Sequence, residues 1–167
     1  TVNEDVGEQF LIAKGFVSGP LVGDTVAASL SAFREESDGY HHYIVTGEDD
    51  VGGIESTVVR AKLLAKPTDS ARLLLTLGYM DRWDGDTTPY ATIDGNAVAR
   101  LFPGAVIGEK PYEFTTNREA FLDSTAYLAS LKLDFDLAAG TLSSVTAYNE
   151  TDAYYTQDAD ASNLDLL

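Results

Sequence analysis

Hydrophobic and polar residues along this chain alternate with a period of two, the pattern that gives a β-strand one apolar face. In Tyr127-Leu-Ala-Ser-Leu-Lys-Leu-Asp-Phe-Asp-Leu137, the residues Tyr127, Ala129, Leu131, Leu133, Phe135 and Leu137 share one face. Ser130, Lys132, Asp134 and Asp136 stand opposite. Residues 72–80 place Leu73, Leu75, Leu77 and Tyr79 together, and residues 55–66 place Val59, Ala61, Leu63 and Ala65 against a mixed face with Arg60, Lys62 and Lys66. Residues 9–17, 25–34 and 142–148 alternate with less contrast, so the pattern predicts about six long strands.

The connections alternate in length. Residues 18–24, 67–70 and 138–141 are tight and supply Gly, Pro, Asp and Ser where turns need them. Residues 35–54 and 81–123 are long. In an antiparallel up-and-down meander, alternate connections lie at the same end of the sheet, so one rim carries short turns and the other long loops. Transmembrane β-barrels have this asymmetry. A soluble all-β module, a sandwich or lipocalin-like barrel holding a small apolar or carbohydrate ligand, also alternates. Two features favour the membrane. The apolar faces end in Tyr or Phe near a rim, as an aromatic girdle does. The opposite face carries Arg60, Lys62, Lys132, Asp134 and Asp136, charges that a sandwich core accepts only when paired and a wet lumen accepts readily. On this reading Leu63, Leu75, Leu77, Leu131, Leu133 and Phe135 face lipid.

Composition narrows the classes. The 167 residues carry 27 acids against 11 bases, a formal charge of −16. With a sequence pI near 4.2, that balance excludes nucleic acid as a partner. A hydrophobic fraction of 44% argues against wholesale disorder. No Cys is present, which removes disulfides and thiolate sites. No apolar run approaches the ~18 residues of a transmembrane helix, but a transmembrane strand needs only about 9–11 residues. The start at Thr1 and the single Met at position 80 read as a mature chain or an excised piece.

Several strings are similar to those of TonB-dependent outer-membrane receptors. Val17-Ser-Gly-Pro-Leu21, Gly23-Asp-Thr-Val-Ala-Ala-Ser-Leu-Ser31 and Asp38-Gly-Tyr40 resemble the second and third strand region of that family. Val59-Arg-Ala-Lys-Leu-Leu64 with Lys66-Pro-Thr68 resembles its next hairpin, and Leu142-Ser-Ser-Val-Thr-Ala-Tyr148 a later strand. The resemblance implies a 22-stranded transmembrane β-barrel around a plug domain. It implies uptake of a scarce ligand, of siderophore, cobalamin or oligosaccharide type, driven through TonB. The partners would be outer-membrane lipid, lipopolysaccharide and, through the plug, the TonB system. Residues 1–167 then read as a partial barrel domain without the plug, located in the bacterial outer membrane, non-enzymatic and without a cofactor.

Candidate chemistry is sparse. Adjacent His41 and His42 point to opposite faces of a strand and do not share a metal. Glu48-Asp49-Asp50 offers carboxylates to a hard cation but lacks the spaced ligands of a calcium loop. Asp81, Asp84 and Asp86 surround Trp83, which is either a sugar-stacking platform or an interfacial Trp. Asp134 and Asp136 share a face about 7 Å apart, a glycosidase-like spacing, with Lys132 beside them. No Gly-x-Ser-x-Gly elbow exists. Within the long segment 81–123, Trp83, Tyr90, Arg100, Tyr112 and Arg118 are the candidates for ligand contact. Assigning residues 1–8, 35–57, 81–124 and 149–167 to the long-loop rim puts 23 of the 27 acids and 4 of the 11 bases there. That leaves a near-neutral sheet below a strongly acidic rim, able to attract divalent cations or cationic ligands.

Overall fold

β-Branched, leucine and aromatic residues in two-residue alternation, cut by Gly, Pro, Asp and Ser, dictate long strands joined by tight turns. The computed structural model describes residues 10–85, 101–106, 108, 110–159 and 161–165. Seven strands follow in chain order: β1 Phe10–Val22, β2 Val26–Tyr43, β3 Glu48–Thr68, β4 Ala71–Asp84, β5 Glu113–Phe114, β6 Phe121–Leu137 and β7 Gly140–Thr156. They form one open sheet in the order β1-β2-β3-β4-β6-β7, antiparallel throughout, with β5 running parallel to β2 at His42 and Tyr43. The all-β antiparallel meander expected from the alternation is therefore present. Among the described residues, no helix is long and apolar enough to cross a membrane.

The strands outrun the pattern that predicts them. Residues 35–54, expected as a loop, continue the β2–β3 hairpin through Glu35↔Ser56, Ser37↔Ile54 and Gly39↔Gly52 to Tyr43↔Glu48. β7 likewise runs eight residues past Tyr148, to Thr156 beside Phe121. Backbone pairing does not depend on a hydrophobic face, so strand ends rich in charge extend the ladder without showing alternation. Glycine makes the β2–β3 extension possible. Gly39 and Gly52 both adopt φ of 90°. A Cβ on Gly39 would stand 2.3 Å from the carbonyl oxygen of Val51.

Register converts the separate alternations into two continuous faces. On one, the rung Leu30, Ala61, Leu77 and Ala129 is followed by Ala28, Leu63, Leu75 and Leu131, then by Val26, Ala65, Leu73 and Leu133. In the opposite direction the next rung is Ala32, Val59, Tyr79 and Tyr127, with the two tyrosine rings 5.4 Å apart. One rung further on, the face becomes Arg34, Thr57, Asp81 and Thr125. The change from apolar to polar side chains thus falls at the same height on four adjacent strands. Along β6 the apolar side runs from Leu137 to Tyr127, roughly 33 Å of strand. A tilt of about 35–45° reduces this to roughly 25 Å, the height of the apolar band of a transmembrane barrel. β7 departs from the pattern, presenting Ser144 and Thr146 to this face.

Neither face of the band is covered by another layer among the described residues. Among the described residues, the buried hydrophobic ones are Tyr43, Phe114 and Ala120, all at the long-loop end. Phe16, Val17, Leu142 and Val145 are 58–72% exposed.

Gly39→Ala is expected to lower the denaturant midpoint, followed by fluorescence of Trp83, the single Trp of the chain, by the equivalent of about 1–3 kcal/mol. Gly15→Ala, where nothing lies within 4 Å of the new methyl, leaves the midpoint unchanged.

Candidate functional site

The polar sheet face is built from the alternate positions of the same strands. Lys132 and Asp134 face one another on β6 at 3.1 Å, and Asp134 also accepts a hydrogen bond from the Ser143 hydroxyl at 2.6 Å. Arg72 reaches across from β4 to Asp136 at 3.1 Å, and Asp136 also accepts from the Thr141 hydroxyl. Each carboxylate of the glycosidase-like pair is therefore engaged by its own cation and hydroxyl. At the other end, Arg82 forks onto Asp84 through two bonds of 2.8 Å. Arg60 and Lys62 lie between these clusters, and both are exposed.

The proposed lipid-facing residues Leu63, Leu75, Leu77, Leu131 and Leu133 fall together on the opposite face. Phe135 joins them beside Ala71 and Leu142.

Past the tyrosine rung the sheet carries most of its acids. Arg34, first above the apolar band, donates to Glu55 at 2.7 Å and to the Thr57 hydroxyl at 3.0 Å. Asp81 accepts from the hydroxyls of Tyr79 at 3.2 Å and Thr125 at 3.3 Å. Glu150 stands beside Tyr127 on the tyrosine rung, Asp152 beside Thr125 on the next, and Glu36, Glu55 and Asp123 one rung further on the same face. The acidic rim read from the sequence thus sits largely on strands that project beyond the apolar band, not on loops.

A cavity of about 800 Å³ opens at this end, where the top of the β2–β3 hairpin meets residues 116–119. Its lining includes Trp83 and Arg118, two of the five ligand-contact candidates, together with Glu36, Tyr43, Glu48 and Asn117. Arg118 is held by Asp165 at 3.0 Å. Trp83 has the same parity as Tyr79 and lies two rungs above it, packed against Gly85 at the cavity edge. That position serves both of its readings, since an interfacial indole can also border a ligand recess. Tyr112 lies apart from this cavity: its carbonyl accepts the His42 amide at 2.9 Å and its ring faces the Lys110 ammonium at 5.8 Å. Tyr90, Arg100 and Asp86 lie outside the described residues.

The two histidines find separate partners, as their opposite directions on a strand require. The His42 ring bonds Asp49 at 2.6 Å, while the His41 ring packs against Tyr40 and Phe114 at 4.3 Å. Among the described residues, no group of three or more His and carboxylate side chains converges to hold a metal ion. No family model, curated protein or solved structure matches this chain. The geometry of the site therefore stands on its own residues.

Sequence reasoning did not find the residues that position the cavity wall. Asp158 is 3% exposed and accepts hydrogen bonds from the Thr116 hydroxyl at 2.8 Å, the Asn117 amide at 3.2 Å and the Ala161 amide at 3.1 Å. Thr115 and Thr116 are buried with it. An Asp joined to a segment some 40 residues earlier leaves no short-range signal.

Removing this acceptor strands the Asn117 and Ala161 amides, while the Thr116 hydroxyl keeps the Arg118 carbonyl at 2.6 Å; each donor left buried costs about 1–3 kcal/mol. Asp158→Ala is therefore expected to speed tryptic cleavage after Arg118 severalfold, read by mass spectrometry of the fragments, while cleavage after Lys14 on the edge strand stays unchanged.

Proposed function

We propose that this chain is a segment of a TonB-dependent receptor barrel in a bacterial outer membrane, taking part in uptake of a scarce ligand. The observation that carries the reading is the apolar face: four strands in register change from apolar residues to polar ones at a single height, two of them through a Tyr. A sheet with an apolar face and no covering layer needs an apolar phase against it. Lipid supplies one without a second protein layer, and closed barrels are the β-structures that span lipid. The resemblance of the hairpin strings to that family, in order along the chain, names the barrel type and its 22 strands.

On this reading Leu63, Leu75, Leu77, Leu131, Leu133 and Phe135 meet acyl chains, and Tyr79 and Tyr127 lie at the interface. Arg60, Lys62, Lys132, Asp134 and Asp136 line the lumen. The short turns after β1, β3 and β6 face the periplasm. The cavity bordered by Trp83 and Arg118 faces outward, among the acids that meet divalent cations and lipopolysaccharide phosphates. Energy from TonB would arrive through a plug domain that fills the lumen.

Neighbouring residues on β6 test the assignment. Leu131→Arg, at mid-band, is expected to weaken assembly by about 2–4 kcal/mol, seen as loss of the heat-modifiable folded species on gels of outer-membrane fractions. Ser130→Arg, one residue away on the lumen face, assembles normally. Equal tolerance of both, or a monomer of this chain that stays folded in water without detergent, would replace the receptor with the soluble ligand-binding module.

A further inference from the structure

We propose that the outward side of β7 is a contact surface for a second copy of this chain, giving a two-fold dimer in the plane of the membrane. The inference rests on the reading of the apolar sheet face as lipid-facing, and goes beyond it by assigning one strip of that face to protein. From the rung of Leu73 to that of Leu77, the five strands β1, β2, β3, β4 and β6 present only Gly, Ala, Val and Leu to this face. On the same rungs β7 presents Ser144, Thr146 and Tyr148, and it turns its apolar Val145 and Ala147 to the other side. The strip is thus polar at mid-band, where its neighbours are wholly apolar.

The register of β7 is pinned, so the direction of these hydroxyls is built in. A tight turn pairs Leu137 with Gly140, and on the opposite face Asp134 and Asp136 accept from the hydroxyls of Ser143 and Thr141 at 2.6 and 2.8 Å. A slip of one residue would break both bonds. The Tyr148 hydroxyl donates to Glu150, whereas Ser144 and Thr146 are exposed and have no hydrogen-bond partner among the described residues. Thr146 lies four residues, about 13 Å of strand, below the tyrosine rung, out of reach of headgroups and water. A hydroxyl turned to hydrocarbon without a partner is unfavourable. Helix contacts within membranes are built from small and hydroxyl-bearing residues for this reason, and the same physics applies to a strand face.

Symmetry selects the occupant. A hydroxyl both donates and accepts, so Ser144 and Thr146 each bond well to an identical group. A two-fold axis along the membrane normal sets residues near it opposite their own counterparts at the same depth. One operation therefore supplies partners at both heights, which an unrelated protein would have to match separately.

Disulfide trapping in outer membranes holding the intact protein tests this, and the absence of Cys from these 167 residues keeps the background low. Thr146→Cys, oxidised with copper phenanthroline, is expected to give a homodimer on non-reducing gels at least fivefold above that from Leu75→Cys, which lies at the same height two strands away. The double variant Ser144→Leu, Thr146→Leu is expected to assemble as a heat-modifiable monomer but to lose the dimer seen for the unaltered protein by light scattering in mild detergent. A membrane-inserted Thr146→Cys protein that stays monomeric, couples to a different protein, or couples no better than Leu75→Cys overturns the proposal alone. Survival of the dimer in the double Leu variant also overturns it. A protein recovered folded in water without detergent overturns the receptor reading, and the dimer in the membrane with it.

Discussion

Everything in this fold depends on an apolar face that no part of the described protein covers. A sheet normally buries such a face against helices or a second sheet, and each Å² withdrawn from water contributes about 25 cal/mol. Here the strands are too long and too evenly exposed for an internal core to provide that term. On the proposed reading, stability comes from contact with lipid. On that reading the height at which the face turns polar is a phase boundary, and Tyr79 and Tyr127 stand at it, the Tyr79 hydroxyl donating to Asp81. An amphipathic ring at a phase boundary satisfies both of its ends.

The distribution of charge follows from the same constraint. The apolar band excludes ions from one face, so the cations of the strands are confined to the other or to the projecting ends. Near the short turns and near the upper end of β4 they meet carboxylates within hydrogen-bonding distance. Along β3 they do not: Arg60, Lys62 and Lys66 have no carboxylate partner among the described residues. The acids concentrate above the tyrosine rung, where water is available and where Arg34 is the first cation to meet them. A net charge of −16 is thus an average over three zones of different character.

The fold was largely legible because β-structure repeats every two residues, and the repeat is visible wherever one face is apolar. Leu131, Leu133 and Phe135 could be assigned to a common face from their spacing alone. The same criterion failed for residues 35–54 and 149–156, where both faces are polar and alternation vanishes although backbone pairing continues. The candidate site was less legible. Trp83 and Arg118 were singled out separately, and the cavity they share depends on residues 116–119 being drawn in by Asp158. That hydrogen-bonded anchor has no sequence periodicity.

By itself, the sequence determined the strand class, the order of short and long connections, and which residues of each strand share a face. These are local properties, set by the geometry of successive Cβ atoms and by turn residues such as Gly23 and Gly140. Only the tertiary structure decided that the faces align. Whether Tyr79 stands beside Tyr127, and Arg34 at the height of Asp81, depends on inter-strand register, since a slip of one residue would send every apolar side chain of a strand to the opposite face. It also decided which cations are neutralised, because Arg72 and Asp136 are 64 residues apart in the chain and meet only through pairing of β4 with β6.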